Sequence, residues 1–230
     1  MEKQTQEIIQ LLKSKENPQN LAGMSRYGIN TEKAFGINLP ILRTIAKSLG
    51  KDHELALNLW KTGYHEARMI AAFIDEPAKV TIQQMNDWVR DFNSWDICDQ
   101  TCGTLFDKTP FAYDIAHRWS KEKSEYVKRA GFVMMAALAV HDKKSPDEKL
   151  LQFLPVIERE SHDERNFVRK AVNWALRQIG KRSWFLREHA IATGEKISVQ
   201  DSKSARWIAA DALRELNDPK TTARIKSKKI

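Results

Sequence analysis

Trp95 and Asp99 stand four residues apart in the stretch NSWDICDQ, residues 93–100. On a helix this spacing brings an indole and a carboxylate to one face, a turn apart. Polar Ser94 and Asp96 flank the ring, so it belongs to no continuous apolar run. A ring face and a carboxylate both attract positive charge, and the pair suits a site that binds a transient cation. Spacing alone leaves other readings open. Trp95 also fits a core or groove-edge aromatic, Asp99 a surface acid, and Asp96 is an equal candidate for the important carboxylate.

Two cysteines, Cys98 and Cys102, lie on the same stretch. No further cysteine completes a four-thiolate site, and His117 and His141 are distant in sequence. The pair reads as two small buried thiols of a reducing cytosol, with no metal and no cofactor expected.

The second cluster is cationic. RNFVRKAVNWALRQIGKRSWFLR, residues 165–187, holds seven Lys or Arg and no acid. Arg165, Arg169, Asn173, Arg177 and Lys181 recur by fours, while Lys170, Trp174, Arg177 and Lys181 follow the helical three/four spacing. Val168, Ala171, Val172, Ala175, Leu176 and Ile179 form the opposite, apolar stripe. A solvated helix ordinarily mixes charges to gain pairs one turn apart, and a single-sign ridge forgoes that gain. A phosphate backbone would compensate. The residues Arg165, Arg169, Lys170, Arg177 and Lys181 are therefore expected to touch DNA, in keeping with a net charge of +8. Lys128 and Arg129, in SEYVKRAGFVMM, are further candidates, although a structural ion pair with Glu125 suits them equally.

These groups must be positioned by helices. Apolar residues recur at three and four, as in Ile8, Leu11, Leu12 and in Leu42, Ile45, Ala46, Leu49, and no alternating strand pattern occurs. Turn signals such as Asn17-Pro18, Gly50-Lys51-Asp52 and Asp218-Pro219 separate the segments. EARMIAAFID, YVKRAGFVMM, FVRKAVNWAL and SARWIAADAL each set a basic residue before a small-residue helix, the last three about forty residues apart, the period of paired-helix HEAT-type repeats. The expected fold is all-α, a superhelical solenoid of HEAT-like helix pairs with a concave basic groove. One domain is expected over residues 1–219, with a basic, disordered tail over 220–230. No run of eighteen apolar residues spans a membrane, and MEKQTQEIIQ lacks the basic and apolar parts of a secretory signal. A cytoplasmic monomer is expected, nucleoid-associated in a prokaryote.

The motifs GMSRYGINTEKAFGINLPILRTIAK, EARMIAA, NSWDICDQ, VKRAGFV and FVRKAVNWALRQIGKR resemble, in this order, the AlkD-like DNA alkylation repair proteins, which are HEAT-like-repeat DNA glycosylases. The resemblance spans about residues 20–215. It implies that Asp99 is the catalytic carboxylate, that Trp95 and Trp174 contact the sugar of the lesion nucleotide, and that Arg129 and Arg177 serve the DNA cleft. The implied activity is that of a monofunctional glycosylase releasing 3-methyladenine or 7-methylguanine from duplex DNA in base excision repair. An alkylated purine is already cationic and leaves without a general acid. Asp99 would then stabilise the oxocarbenium-like sugar and position water, with the two rings adding cation–π attraction. The resemblance further implies action without extruding the base, and the sequence shows no evident base-reading pocket. Around Tyr27 to Gly36 the chain departs from the aromatic-rich pattern of the family, which leaves lesion preference open. A HEAT-repeat protein that binds damaged or branched DNA without chemistry is the alternative. A protein-interaction scaffold is a third reading, against which the 165–187 ridge argues.

Overall fold

Three- and four-residue spacing of apolar side chains, interrupted by Pro, Gly and short polar caps, yields helices throughout. The computed structural model describes residues 2–227, and no strand occurs among them. No helix among these residues is long and apolar enough to cross a membrane. The chain divides into two compact units, Met1–Thr109 and Pro110–Ile230, where the sequence was read as one domain over 1–219. The boundary falls at Pro110, which has no N–H to extend the preceding 3-10 turn, Phe106–Lys108.

The first unit contains α1 (Glu2–Lys13), α2 (Pro18–Arg26), α3 (Leu39–Leu49), α4 (His53–Lys61), α5 (His65–Ile74), α6 (Ile82–Arg90) and α7 (Trp95–Thr104). Side chains cap the starts: Asn17 accepts the Asn20 N–H, Asp52 that of Leu55 and Thr81 that of Gln84. Trp60 and Trp88 stack face to face, 3.9 Å between centroids, and form the aromatic centre of the core with Phe92 and Phe106. Of the apolar stripe in α1, Ile8 and Leu12 are buried and Leu11 is exposed. Residues 30–38 are irregular yet held. The Glu66 carboxylate, fully buried in α5, accepts the N–H groups of Phe35, Gly36 and Ile37 at 2.7–3.2 Å. Gly36 has φ +75°, and a Cβ there would meet the Asn17 carbonyl oxygen at 2.4 Å, so no other residue fits.

The second unit contains α8 (Ala112–Trp119), α9 (Glu125–His141), α10 (Asp147–Leu151), α11 (Leu154–Glu160), α12 (Asn166–Gly180), α13 (Trp184–Ser198), α14 (Lys203–Asn217) and α15 (Pro219–Lys226). Its centre is the α9–α12 pair. All six residues of the stripe read from the sequence, Val168 to Ile179, are fully buried. Gly131 lets α9 approach the end of α8 closely, since a Cβ would meet the Ser120 nitrogen at 2.4 Å.

The tail expected to be disordered from residue 220 is instead helical over most of its length. Asp218 caps the Thr221 N–H, Pro219 occupies the first turn, and Ile225 is buried. The basic residues of the segment lie on the exposed side, so its charge does not prevent folding. Residues 228–230 lie outside the described residues.

Candidate functional site

α7 begins at Trp95, so Trp95 and Asp99 do share one face of a helix. Both are half-buried. The indole Nε1–H of Trp95 donates to the Tyr27 carbonyl oxygen at 3.0 Å, tying the first residue of α7 to the end of α2. Ser94 starts the helix without a side-chain cap, because its hydroxyl is taken by Asp96 Oδ1 at 2.7 Å.

Asp96, the equal candidate in the sequence, has a different occupation. Its carboxylate lies 2.8 Å from His65 Nε2 and accepts the Ile97 N–H at 2.9 Å. Burial works against its charge, but the His65 hydrogen bond and charge prevail and hold the carboxyl below its usual range. The same contact raises His65, against burial. Asp96 thus anchors the start of α7 to α5, while Asp99 sits one turn further along the stripe that begins with Trp95.

A cavity of about 590 Å³ opens beside this helix within the first unit. Trp95, Asp96 and Gln100 form the α7 wall, and Gly23, Met24 and Tyr27 the α2 wall. The sequence showed no base-reading pocket. It could not, because α2, the 29–39 segment, α3, α5 and α7 each supply only a few lining residues.

In the second unit the cationic ridge is not what the sequence implied. Arg177 is paired with Glu215 and lies 3.2 Å from Asp211, and Lys181 lies 2.8 Å from Glu215. Asn173 donates to Asp211 at 2.7 Å. The acids missing from α12 are thus supplied by α14, one repeat later. Arg165 is bound by Asp163 at 2.6 Å and donates to the Lys123 carbonyl. Arg169 lies over the Trp207 ring at 5.1 Å. Lys170 is exposed and Trp174 half-buried. A single-sign face therefore does not form, since the neighbouring helix neutralises its C-terminal half.

Lys128 is likewise corrected, and its neighbour Arg129 shares its burial. Lys128 Nζ lies 2.7 Å from Glu160 and 3.2 Å from Asp163, and Arg129 donates to the Phe167 carbonyl at 2.6 Å. The expected Glu125 partner is replaced by carboxylates some thirty residues on, and Lys128 is structural rather than a surface contact for DNA. Asp163 is half-buried, with its side chain 9% exposed, which works against its charge, but hydrogen bonds from Arg165 and Lys128 hold it at about 2.

The sequence reading missed a second cationic group. Arg43, Lys47, Lys51 and Lys108 line one open depression of the first unit, with no carboxylate in its lining. All four are exposed. Arg43 Nη2 donates to Gln100 Oε1 of α7 at 3.2 Å, and Lys51 donates to the carbonyls of Phe73 and Asp75 at 2.9 and 2.7 Å. Burial and the nearby charge of Lys108 lower the Lys51 pKa. The signal was present: Arg43, Lys47 and Lys51 are spaced by fours. No group of three or more His, Cys, Asp or Glu among the described residues is placed to hold a metal ion.

The family model of DNA alkylation repair enzymes matches residues 8–216. The fold is that of a solved protein from a family described as related to the HEAT-like repeat DNA glycosylases with affinity for branched DNA structures. That likeness has a TM-score of 0.79 at 19% identity and covers 97% of each chain. No curated protein matches the sequence.

Proposed function

The chain belongs to the DNA alkylation repair enzyme family, and from that premise we propose that it is a monofunctional DNA glycosylase for cationic alkylpurines. The observation that carries the reading is the Trp95–Asp99 face of α7, with Trp95 fixed by Tyr27 and the helix start fixed by His65 and Asp96. A glycosylase acting on 3-methyladenine or 7-methylguanine must stabilise a cationic sugar as the N-glycosidic bond breaks. Asp99 supplies the opposite charge and orients the attacking water, and the Trp95 ring adds cation–π attraction of about 0.5–2 kcal/mol. Anchoring matters because a preorganised charge stabilises a transition state more than one that must reorient.

Duplex DNA would be held through its phosphates. Arg43, Lys47, Lys51 and Lys108 are proposed as the main contacts, with Lys170 and Arg169 as further ones. Among the described residues no ion pair joins them to a carboxylate, unlike Arg177 and Lys181. Contacts of this kind carry no sequence information. The family resemblance gives Trp174 a contact to the sugar of the lesion nucleotide and Arg129 a place in the DNA cleft; within the second unit Arg129 also donates to the Phe167 carbonyl.

A second reading has its own observation. The solved relative described as having affinity for branched DNA covers nearly the whole chain, and the pairing of Arg177 and Lys181 removes charge that a glycosylase cleft would use. On that reading the protein grips branched or damaged DNA without chemistry. Release of 7-methylguanine from methylated duplex DNA, compared between wild type and Asp99→Asn, separates the two. Release by the wild type alone supports the glycosylase; salt-sensitive DNA binding without release supports the binding module.

A further inference from the structure

Of the four repeat motifs, SARWIAADAL has no place in the chemistry assigned so far. We propose that its tryptophan, Trp207, together with Arg169 of α12, is a stacking platform for an unpaired base of single-stranded DNA.

The register of the repeats puts Trp207 beside the cations. Arg129, Lys170 and Trp207 hold the same position of their motifs, about forty residues apart. Equivalent positions of stacked repeats fall on one side of the stack, and α12 packs on both α9 and α14. The series along that side of the second unit thus runs cation, cation, indole. Trp207 is also the one tryptophan that is exposed among the described residues, at 39%. Trp60, Trp88 and Trp119 are buried, and Trp95, Trp174 and Trp184 are half-buried. A ring of this size gains free energy by leaving water, so a partner that covers it is rewarded.

The charges around the ring select the partner. Trp207 shares the exposed face of α14 with Lys203, Arg206 and Arg214, which follow the helical three/four spacing. The Arg169 guanidinium lies 5.1 Å from the ring centroid. Its Nη2 meets Asn166 Oδ1 at 3.5 Å, and its Nε is buried with no hydrogen-bond partner among the described residues. The planar group is therefore held by the ring rather than by a carboxylate. The acids nearby are engaged or weak. Glu164 accepts from the Ser202 hydroxyl at 3.1 Å and the Ser204 N–H at 3.2 Å. Asp211 is shared by Asn173, Arg177 and Arg214. Asp201 pairs with Arg206 at 3.4 Å but is fully exposed, where such a pair contributes little.

Cations that track phosphates, interleaved with an aromatic face on which bases stack, are the means by which proteins hold single strands. Bases within a duplex lie on one another and offer only their edges. An exposed indole therefore favours DNA with unpaired bases over an intact duplex. The inference rests on the reading of the chain as DNA-binding, which both proposed functions share, and not on glycosylase chemistry.

The test compares three labelled probes by fluorescence anisotropy: a short oligothymidylate, a blunt duplex of equal length, and a strand of the same length made of abasic sites. The wild type should bind the oligothymidylate saturably. Trp207→Ala should bind it about five- to a hundredfold more weakly, the worth of one stacked base, while Trp207→Phe recovers most of the loss. Affinity for the duplex and for the abasic strand should change by less than about twofold, since phosphate contacts survive. Circular dichroism checks the fold. If Trp207→Ala does not fold, Trp207→Leu keeps apolar packing without a flat face and serves in its place. No saturable binding of the oligothymidylate by the wild type, no loss in a folded variant, or an equal loss on all three probes overturns the proposal. Duplex binding with base release, but no stacking-dependent strand binding, removes the platform and leaves the glycosylase standing. Strand binding that depends on Trp207, without base release by the wild type, leaves the platform standing and removes the glycosylase.

Discussion

Trp95 Nε1 lies 3.0 Å from the Tyr27 carbonyl oxygen, so the ring proposed to face the sugar is held by a residue 68 positions earlier in the chain. Tyr27 is itself 75% exposed, and the contact sits at the protein surface. Trp95→Phe keeps an aromatic face and removes this one bond. A hydrogen bond of this kind contributes about 0.5–1.5 kcal/mol, so single-turnover base release should fall about three- to tenfold. Trp95→Ala removes the face as well and should fall further. Equal rates for the two variants would show that the ring itself contributes nothing.

Asp99→Asn keeps the shape and removes the charge. Base release from methylated duplex DNA should fall about 10²–10³-fold, the scale of a lost electrostatic contact in a transition state. Duplex affinity should stay within about threefold, since one carboxylate facing DNA favours binding only through the cationic lesion. Asp96→Asn should differ. It loosens the start of α7 from His65, so it should lower thermal stability together with activity.

The depression lined by Arg43, Lys47, Lys51 and Lys108 predicts a salt dependence. Lys47→Gln should weaken DNA binding uniformly across sequences and reduce the slope of log affinity against log salt by about one. Lys181→Gln should leave that slope nearly unchanged, because Glu215 already occupies the ammonium. Gel-shift titrations across a salt series read both.

Lys128 predicts a stability effect. Its side chain and those of Glu160 and Asp163 are nearly inaccessible, at 11, 11 and 9%. Lys128→Met leaves two buried carboxylates short of a partner and should destabilise the fold by about 3–5 kcal/mol in urea at neutral pH. Asp163 sets the pH course. Its folded pKa of about 2 lies below the ordinary value of roughly 3.9. The stabilisation it brings is complete above about pH 4 and is lost as pH falls through 2. Without Lys128 that acid loss should shrink.

How much of this was legible in the sequence depends on the reach of each interaction. The buried stripe Val168 to Ile179 was readable because it repeats within one helix, and α7 because Trp95 and Asp99 are one turn apart. The pairing of Arg177 and Lys181 was not, because Glu215 lies 38 and 34 residues further on and only the packing of α12 on α14 brings it close. Asp163, two residues before Arg165, stood just outside the stretch read as acid-free. Asp218-Pro219 was recognised as a turn, but the same two residues also cap and start α15. The cavity was illegible because five segments share its walls.

The two cysteines of α7 give the helix a built-in clock. Cys98 and Cys102 are reduced and fully buried, and burial, with the neighbouring Cys98, raises the Cys102 thiol well above its ordinary value. A thiol reagent can reach them only when the surrounding packing opens. The rate of labelling therefore counts openings of α7 in the native protein, and its ratio to the rate in unfolded chains converts to a local opening free energy. A base or DNA that closes on Trp95 and Asp99 should slow this clock, which reports occupancy of the helix without any assay of catalysis.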